Sequence, residues 1–150
     1  MATNGLDGAR MRWVELLIED VPPGLNSAGS GKTRKRGLLG LHWTERRRIF
    51  NDWYVLVAQA VGECPVHPAF GLGPVAVTVT RRSRGHMDWD NYGASLKPVL
   101  DGLVRAGVVQ DDGPAVICRL TLLQEVDSEQ SLLIRVERCD AVTPAGEGRR

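Results

Sequence analysis

The sequence predicts a single α+β domain in which helices pack against one mixed sheet. The chain has 150 residues, which is enough for one hydrophobic core. Apolar residues make up 43% of it, an ordinary share for a globular protein. Stretches with strand-like and helix-like periodicity follow one another in the order β-α-β-α-β-β, without an internal repeat.

The first predicted strand covers 12–20, RWVELLIED, whose large apolar residues end at the turn sequence VPPG. Residues 1–11 are small, polar and glycine-containing, so we expect a mobile N-terminal segment. A basic, glycine-rich loop is expected over 24–42. The predicted domain therefore spans 12–140, and residues 141–150 are expected to form a mobile tail.

The first helix is predicted over 44–62, with Thr44 as its N-cap and Gly62 at its end. Its apolar residues recur at spacings of three and four, which places them on one face of a helix. These residues are Ile49, Phe50, Trp53, Leu56, Val57 and Ala60.

A second helical stretch covers 92–106 and contains a proline. Pro98 predicts either a kink or a helix that begins at about that residue, because proline is tolerated only in the first turn. Gly107 is expected to end the helix. The alternating VAVTVTR at 75–81 predicts a strand, and two more strands are predicted over 115–126 and 131–138. The short DSEQ connection between these two strands predicts a hairpin.

Composition and cysteine usage limit the class of protein. No apolar run approaches the roughly 20 residues of a membrane span, and the first residues lack the pattern of a signal peptide. Cys64, Cys118 and Cys139 are odd in number, far apart and without metal-site spacing. We therefore expect a cytoplasmic protein with no membrane partner, whose cysteines are small core or surface residues rather than ligands.

The stretch NSAGSGKT at 26–33 ends like a nucleotide-binding loop. The full motif, G-x-x-x-x-G-K-[ST], needs a glycine at position 26, where this chain has Asn26. Pro22 and Pro23 disfavour the buried strand that should precede such a loop, and RKRGLLG is a poor start for a helix. We therefore predict a flexible basic loop and no nucleotide cofactor.

The net charge is only +1, but the charges are segregated along the chain. Three basic clusters lie at 32–36, 46–48 and 81–84, while aspartates concentrate over 88–112. A near-neutral total is compatible with a basic surface around an acidic pocket. The alternative is three solvated charge runs.

The stretch HMDWDN at 86–91 contains the most informative residues. In an extended chain Asp88 and Asp90 would point to the same face, with Trp89 directed into the core. Paired carboxylates suit Mg²⁺, which prefers hard oxygen ligands. Asp112 precedes a predicted strand whose start could lie beside the end of the 75–81 strand, and it would then complete a metal site. Lys97 could face the same pocket and stabilise developing negative charge.

Simpler interpretations stay open for each of these residues. D-x-D is common in turns, and Asp-Asp before a strand is often a solvated turn. Asn91 is most simply a helix N-cap, and His86 is more simply a loop residue than a ligand. Asp101 is either an exposed helical residue or an i,i+4 partner of Lys97 or Arg105.

In combination the pattern resembles the RusA family of Holliday junction resolvases. The pattern is D-x-D-N, a lysine, an aspartate four residues later and another eleven residues after that, with LVRAG at 103–107 and PPGLN at 22–26 as further matches. Its residues here are Asp88, Asp90, Asn91, Lys97, Asp101 and Asp112, the last preceded by Asp111. The resemblance covers about 12–138 in element order. One departure is that Lys97 follows Asp90 by seven residues, where the family pattern has four.

The resemblance implies a Mg²⁺-dependent endonuclease that acts as a homodimer on four-way DNA junctions. Asp88, Asp90 and Asp112 would hold the metal, and Lys97 would assist the transition state. The candidate phosphate contacts, including the basic loop, are Lys32, Arg34, Lys35, Arg36, Arg47, Arg81 and Arg82. A nuclease for other branched DNA and a junction-binding protein without cleavage are the alternatives.

Overall fold

Helices pack against one five-stranded mixed sheet, which confirms the predicted α+β class. The computed structural model describes residues 2–7, 10–24, 37–62, 70 and 73–139. Its strands and helices are β1 (Ala2–Asp7), β2 (Arg10–Ile18), α1 (Trp43–Gly62), β3 (Val75–Ser83), α2 (Trp89–Ser95), α3 (Lys97–Arg105), β4 (Ile117–Val126) and β5 (Ser131–Arg138). A single 3₁₀ turn, Leu38–Gly40, precedes α1. The predicted tail at 141–150 lies outside the described residues.

The sheet contains one strand that sequence patterning did not predict. Strand β1 falls in the segment that was expected to be mobile, and it pairs antiparallel with β2, Asn4 opposite Val14. The observed order is therefore β-β-α-β-α-α-β-β. Patterning missed β1 because the strand is polar, with Thr3 and Asn4 exposed, and it lies at the sheet edge.

The spatial order of the strands, β1-β2-β5-β3-β4, also corrects the predicted hairpin. Strand β3 lies between β4 and β5: it pairs parallel with β4 and antiparallel with β5. The DSEQ connection therefore crosses the end of β3, where the Asp127 amide donates to the Ser83 carbonyl at 2.9 Å. The parallel register sets Val75 opposite Ile117, so β4 starts beside the start of β3 and not beside its end.

One face of the sheet buries alternate residues of its central strands, as the two-residue period of a strand requires. On β2, β5 and β3 these residues are Val14, Leu16, Ile18, Leu132, Ile134, Val136, Val75, Val77 and Val79. Helices α1 and α3 cover them with Trp53, Val57, Val99 and Leu103. The two helices approach closely, since a Cβ built on Gly102 would lie 3.0 Å from Val57 Cγ2.

Helix α1 confirms the predicted helix but begins one residue earlier, at Trp43, so the proposed cap at Thr44 is wrong. His42 takes that place. Its Nδ1 lies 3.5 Å from the Thr44 amide, and its own amide donates to Glu45 Oε2 at 3.3 Å. This reciprocal arrangement satisfies two amides of the first turn in the manner of a capping box.

The second helical stretch is two helices, separated at Leu96, with Pro98 in the first turn of α3. This confirms the prediction that a helix begins at about Pro98. Gly107 ends the helix with a φ of 73°, a conformation that glycine adopts without strain. The amide of Val108 donates to the Leu103 carbonyl at 2.9 Å, which closes the helix end. Within the described residues, no helix is long and apolar enough to cross a membrane.

Two of the cysteines are paired. Cys118, in β4, and Cys139, which follows β5, form a disulfide across a sequence separation of 21 residues. This corrects the expectation that they are separate core or surface residues. The pairing depends on the placement of β4 and β5 on either side of β3, which cysteine spacing does not reveal. Cys64 lies outside the described residues.

Candidate active site

Lys97 sits between two carboxylates at the start of α3. Its ammonium Nζ lies 2.6 Å from Asp101 Oδ1 and 2.6 Å from Asp112 Oδ2. Asp101 is one helical turn further along α3, which is the i,i+4 spacing at which helix side chains meet. Asp112 lies in the loop that carries the chain from α3 to β4. Of the roles considered for Asp101, the structure supports that of an i,i+4 partner of Lys97.

Hydrogen bonding within this cluster favours the charged forms. The bonds to Asp101 and then Asp112 raise the pKa of the Lys97 ammonium well above its usual value. The bond from Lys97 lowers the pKa of the Asp112 carboxyl. Lys97 is therefore cationic and Asp112 anionic at neutral pH.

Tyr54 of α1 extends the cluster on the side of Asp101. Its hydroxyl donates to Asp101 Oδ2 at 3.4 Å. Burial, and next the negative charge of Asp101, raise the pKa of the Tyr54 hydroxyl. The guanidinium of Arg105 lies over the Tyr54 ring at 4.0 Å from its centroid, a cation–π contact. A continuous chain of polar contacts thus runs from Arg105 to Lys97.

Asp88 and Asp90 lie where the chain turns from β3 into α2. Asp88 is the N-cap residue of α2, and its carbonyl accepts from the Tyr92 amide at 2.8 Å. Its side chain makes no capping hydrogen bond. Asp90 is in the first turn, and both side chains are exposed.

The helix that starts at Trp89 corrects three expectations. Because 88–91 is not extended, the alternation that put Asp88 and Asp90 on one face does not apply; helical residues two apart do not face each other. Trp89 is 59% exposed and does not pack in the core. Asn91 is inside α2 and is not its N-cap. His86 does lie in the loop, as expected.

Polar groups outside the predicted site hold the loop that precedes Asp88. The Gln124 side chain, on β4, binds the main chain of Met87 twice: it accepts from the amide at 2.8 Å and donates to the carbonyl at 2.7 Å. The Tyr92 hydroxyl donates to the Val79 carbonyl at 3.0 Å. Sequence reasoning missed Gln124, because β4 also contains the polar residues Arg119, Thr121 and Glu125 and nothing in the sequence distinguishes Gln124 from them.

Two of the arginines expected at a DNA surface have other contacts. Arg81 is only 9% exposed, and its Nη1 donates to Ser83 Oγ and, at 2.8 Å, to the Gly85 carbonyl. Burial lowers the pKa of its guanidinium. Arg82 points to the opposite face and pairs with Glu125 at 2.7 Å. Arg81 thus supports the loop before Asp88, which corrects the expectation that it lies on the surface.

The carboxylates do not form one cluster. Among the described residues, no group of three His, Cys, Asp or Glu side chains is close enough to hold a metal ion. The positive charge that balances Asp112 in the structure is the ammonium of Lys97. The donor chemistry of Asp88 and Asp90 nevertheless fits Mg²⁺, which commonly takes one or two carboxylates and completes its shell with water and substrate oxygens. The side chain of Asp88 is not engaged in capping, so its oxygens suit that role.

Gly24 and Leu38, described residues on either side of the basic segment, lie together near the start of α2. Residues 25–36, with Lys32, Arg34, Lys35 and Arg36, lie outside the described residues, but the residues on either side are joined: the Leu38 amide donates to the Gly24 carbonyl at 2.9 Å. A Cβ built on Gly24 would lie 3.1 Å from Asn91 Nδ2 and 3.2 Å from Met87 Cε. The chain therefore leaves for the basic loop next to the start of α2.

Comparisons with known proteins add no relative. No protein-family model matches the chain, and a search of curated proteins finds no significant match. The resemblance to the RusA resolvases therefore rests on the motifs between 22 and 112 and stays a prediction.

Proposed function

We propose that this protein is a Mg²⁺-dependent endonuclease that cuts branched DNA, with the four-way Holliday junction as its substrate. The observation that carries the proposal is the contact of Gly24 with Met87 and Asn91. It places the residue that precedes the basic segment next to Met87 and Asn91, which flank Asp88 and Asp90 in the sequence. The exposed carboxylates would bind the metal, and the lysines and arginines that follow Gly24 in the sequence would bind phosphates, the two functions that a metal-dependent nuclease needs.

In this proposal Asp88 and Asp90 would hold Mg²⁺; Asp112, which pairs with Lys97 and is not grouped with them in the structure, would be the third carboxylate only after leaving Lys97. When bound, the ion supplies charge that offsets the negative charge gathering on the phosphate oxygens. Lys97 is cationic and is held by two carboxylates. Asp101 would keep the ammonium in place while Asp112 changes partner, because the Lys97–Asp101 contact is independent of Asp112. Gln124 and Arg81 fix the loop that leads to Asp88.

A homodimer is part of the proposal, because two active sites related by a two-fold axis match the symmetric cuts that resolve a junction. The proposal also includes a cytoplasmic location, where DNA and Mg²⁺ are both available and where the Cys118–Cys139 disulfide would be exceptional. Among the candidate phosphate contacts on described elements, Arg47 is exposed on α1 and Arg82 is partly exposed beside Glu125.

The test is cleavage of a synthetic mobile four-way junction with Mg²⁺ or with EDTA, followed on a native gel and then a sequencing gel. Asp90→Asn should abolish cutting but keep junction binding, since it removes an anionic ligand and also reduces repulsion of DNA phosphates. Asp52→Asn is the matched control, because Asp52 is an exposed aspartate on α1 that pairs with Arg48. The control should cut like the wild type.

Replication forks and flaps are included as substrates. Cutting of forks or flaps but not of the junction would make the protein a nuclease for other branched DNA. Tight junction binding by the wild type without any Mg²⁺-dependent cutting would reject the nuclease and leave the junction-binding alternative. An Asp90→Asn variant that cuts at the wild-type rate would remove Asp90 from the metal site.

A further inference from the structure

A pocket of about 450 Å³ lies between α1 and the end of α3. Three aromatic rings, three arginines and one amide line it: Trp43, Phe50, Tyr54, Arg46, Arg47, Arg105 and Asn51. No carboxylate is among the described residues in its lining. We call it the α1 pocket. Its composition, aromatic with only positive charge, differs from that of the candidate active site, where carboxylates predominate.

The aromatic rings of the α1 pocket are not part of the hydrophobic core. Helical spacing predicted that Phe50 lies on the buried face of α1, but the core takes Trp53 and Val57 from that helix, and Phe50 is only half-buried. Trp43 is 59% exposed. Phe50 and Tyr54 meet edge to face at 6.4 Å. The fold does not require an exposed aromatic stripe beside arginines, whereas a ligand with both an aromatic and an anionic part would use it.

We propose that the α1 pocket binds an unstacked DNA nucleotide, with its base against the aromatic rings and its phosphates on the arginines; this inference rests on the proposed function. Bases stack on aromatic side chains regardless of sequence, and arginines add phosphate and cation–π contacts. A base inside an intact duplex presents only its edges in the grooves. The pocket therefore selects DNA with unpaired or splayed nucleotides, as at a branch point.

The α1 pocket is connected to the candidate active site. Tyr54 forms one wall of the pocket, and its hydroxyl donates to Asp101, which holds Lys97 at 2.6 Å. Only two hydrogen bonds separate the pocket wall from the ammonium of Lys97. A nucleotide in the pocket would thus bring the neighbouring part of its strand towards Lys97 and Asp112.

The test is fluorescence anisotropy with a labelled oligothymidine of about 12 nucleotides, within the length that one single-stranded site covers. It is done in EDTA, so no cleavage is needed. Trp43→Ala should weaken binding by at least about fivefold, the lower limit expected for stacking one base on a ring. Arg46→Ala should weaken it more than Arg48→Ala does, because it removes a phosphate contact of the pocket. Trp43→Phe should keep most of the affinity, since it keeps a ring.

Arg48→Ala is the matched control. Arg48 is an exposed arginine on the same helix, with Asp52 as its partner at 4.0 Å, and it is not in the pocket lining. It should leave binding unchanged. Thermal melts followed by circular dichroism verify that each variant is folded. Folding is expected to be retained, because the substituted side chains are exposed.

Three results would overturn the inference: no oligothymidine binding by the wild type, wild-type affinity for Trp43→Ala, or equal losses for Arg46→Ala and Arg48→Ala. Equal losses would mean that the DNA is attracted by the overall positive charge of α1 and not bound in the pocket. The outcomes separate this inference from the proposed function, because the junction assay reports on Asp90 and Mg²⁺. Junction cutting together with unimpaired Trp43→Ala binding would reject the pocket alone. Pocket-dependent binding without cutting would reject the nuclease alone.

Discussion

Replacing Lys97 by alanine separates chemistry from binding at the candidate site. The ammonium is held by Asp101 and Asp112 at 2.6 Å each, so its position is defined by the protein before any DNA is bound. If it stabilises negative charge in the transition state, Lys97→Ala should lower the cleavage rate by at least about tenfold, roughly 1.4 kcal/mol. Junction affinity should change little.

The same substitution should cost little stability. The Lys97 side chain is 55% exposed, and Asp101 and Asp112 are 26% and 30% exposed, so both ion pairs are screened by solvent. Exposed pairs contribute about 0.2–1 kcal/mol each, which limits the loss to about 2 kcal/mol. A rate defect in Lys97→Ala is therefore not explained by unfolding. Lys97→Arg should not restore the full rate, because a planar fork does not replace a compact point charge between two carboxylates.

The assay is single-turnover cleavage of the four-way junction with protein in excess, with affinity measured separately by gel shift in EDTA. Asp52→Asn again serves as the control, since it replaces an exposed aspartate outside the candidate site. The reasoning is refuted if rate and affinity fall together and additional protein restores the rate. Lys97 would then be a phosphate contact only, and its alignment with the family lysine across the inserted NYGAS residues would be wrong.

The remaining predictions concern the loop, the α1–α3 contact and pH. Replacing Lys32, Arg34, Lys35 and Arg36 of the basic loop by alanine should flatten the salt dependence of DNA binding. The log–log slope should fall by about 0.9 for each phosphate that is no longer neutralised. Calorimetry should detect no ATP binding. Gly102→Ala should destabilise the fold by about 1 kcal/mol in urea unfolding, because the crowding against buried Val57 exceeds the gain in helix propensity. Gly62→Ala, with open space around its Cβ, should not destabilise it. The pKa of Asp112 is lowered in the folded state by its bond to Lys97, so the stabilisation is present above the usual aspartate pKa of 3.8 and disappears as pH falls through the lower folded value. The stability difference between the wild type and Asp112→Asn should therefore be present at neutral pH and shrink under strongly acidic conditions, and a constant difference would contradict this reasoning.

Local patterns in the sequence were sufficient for α1, α3 and four of the five strands of the described sheet. The three- and four-residue spacing from Ile49 to Ala60 determined α1, because side chains at that spacing share one helical face. Pro98 and Gly107 determined where α3 begins and ends, since each restricts its own backbone. The i,i+4 contact between Lys97 and Asp101 was also accessible, because both residues lie within one turn of the same helix.

Tertiary structure alone decided which strands pair and which polar groups meet. The short DSEQ connection suggested a hairpin, yet β3 lies between β4 and β5, and that choice depends on contacts far apart in sequence. The same long-range pairing brings Gln124 to Met87 and Cys118 to Cys139. It also separates Arg81 from the surface.

The candidate site shows the same division. Its residue types were recognisable from the sequence, but the start of α2 at Trp89 decided that Asp88 and Asp90 do not alternate along a strand. Whether a residue at the end of a strand continues extended or enters a helix depends on the hydrogen bonds that its backbone finds, here from Tyr92 to Asp88 and from Met87 to Gln124. Periodicity reports the preferences of neighbouring residues, whereas Gln124 lies 37 residues from Met87 and reaches it only once the sheet has formed.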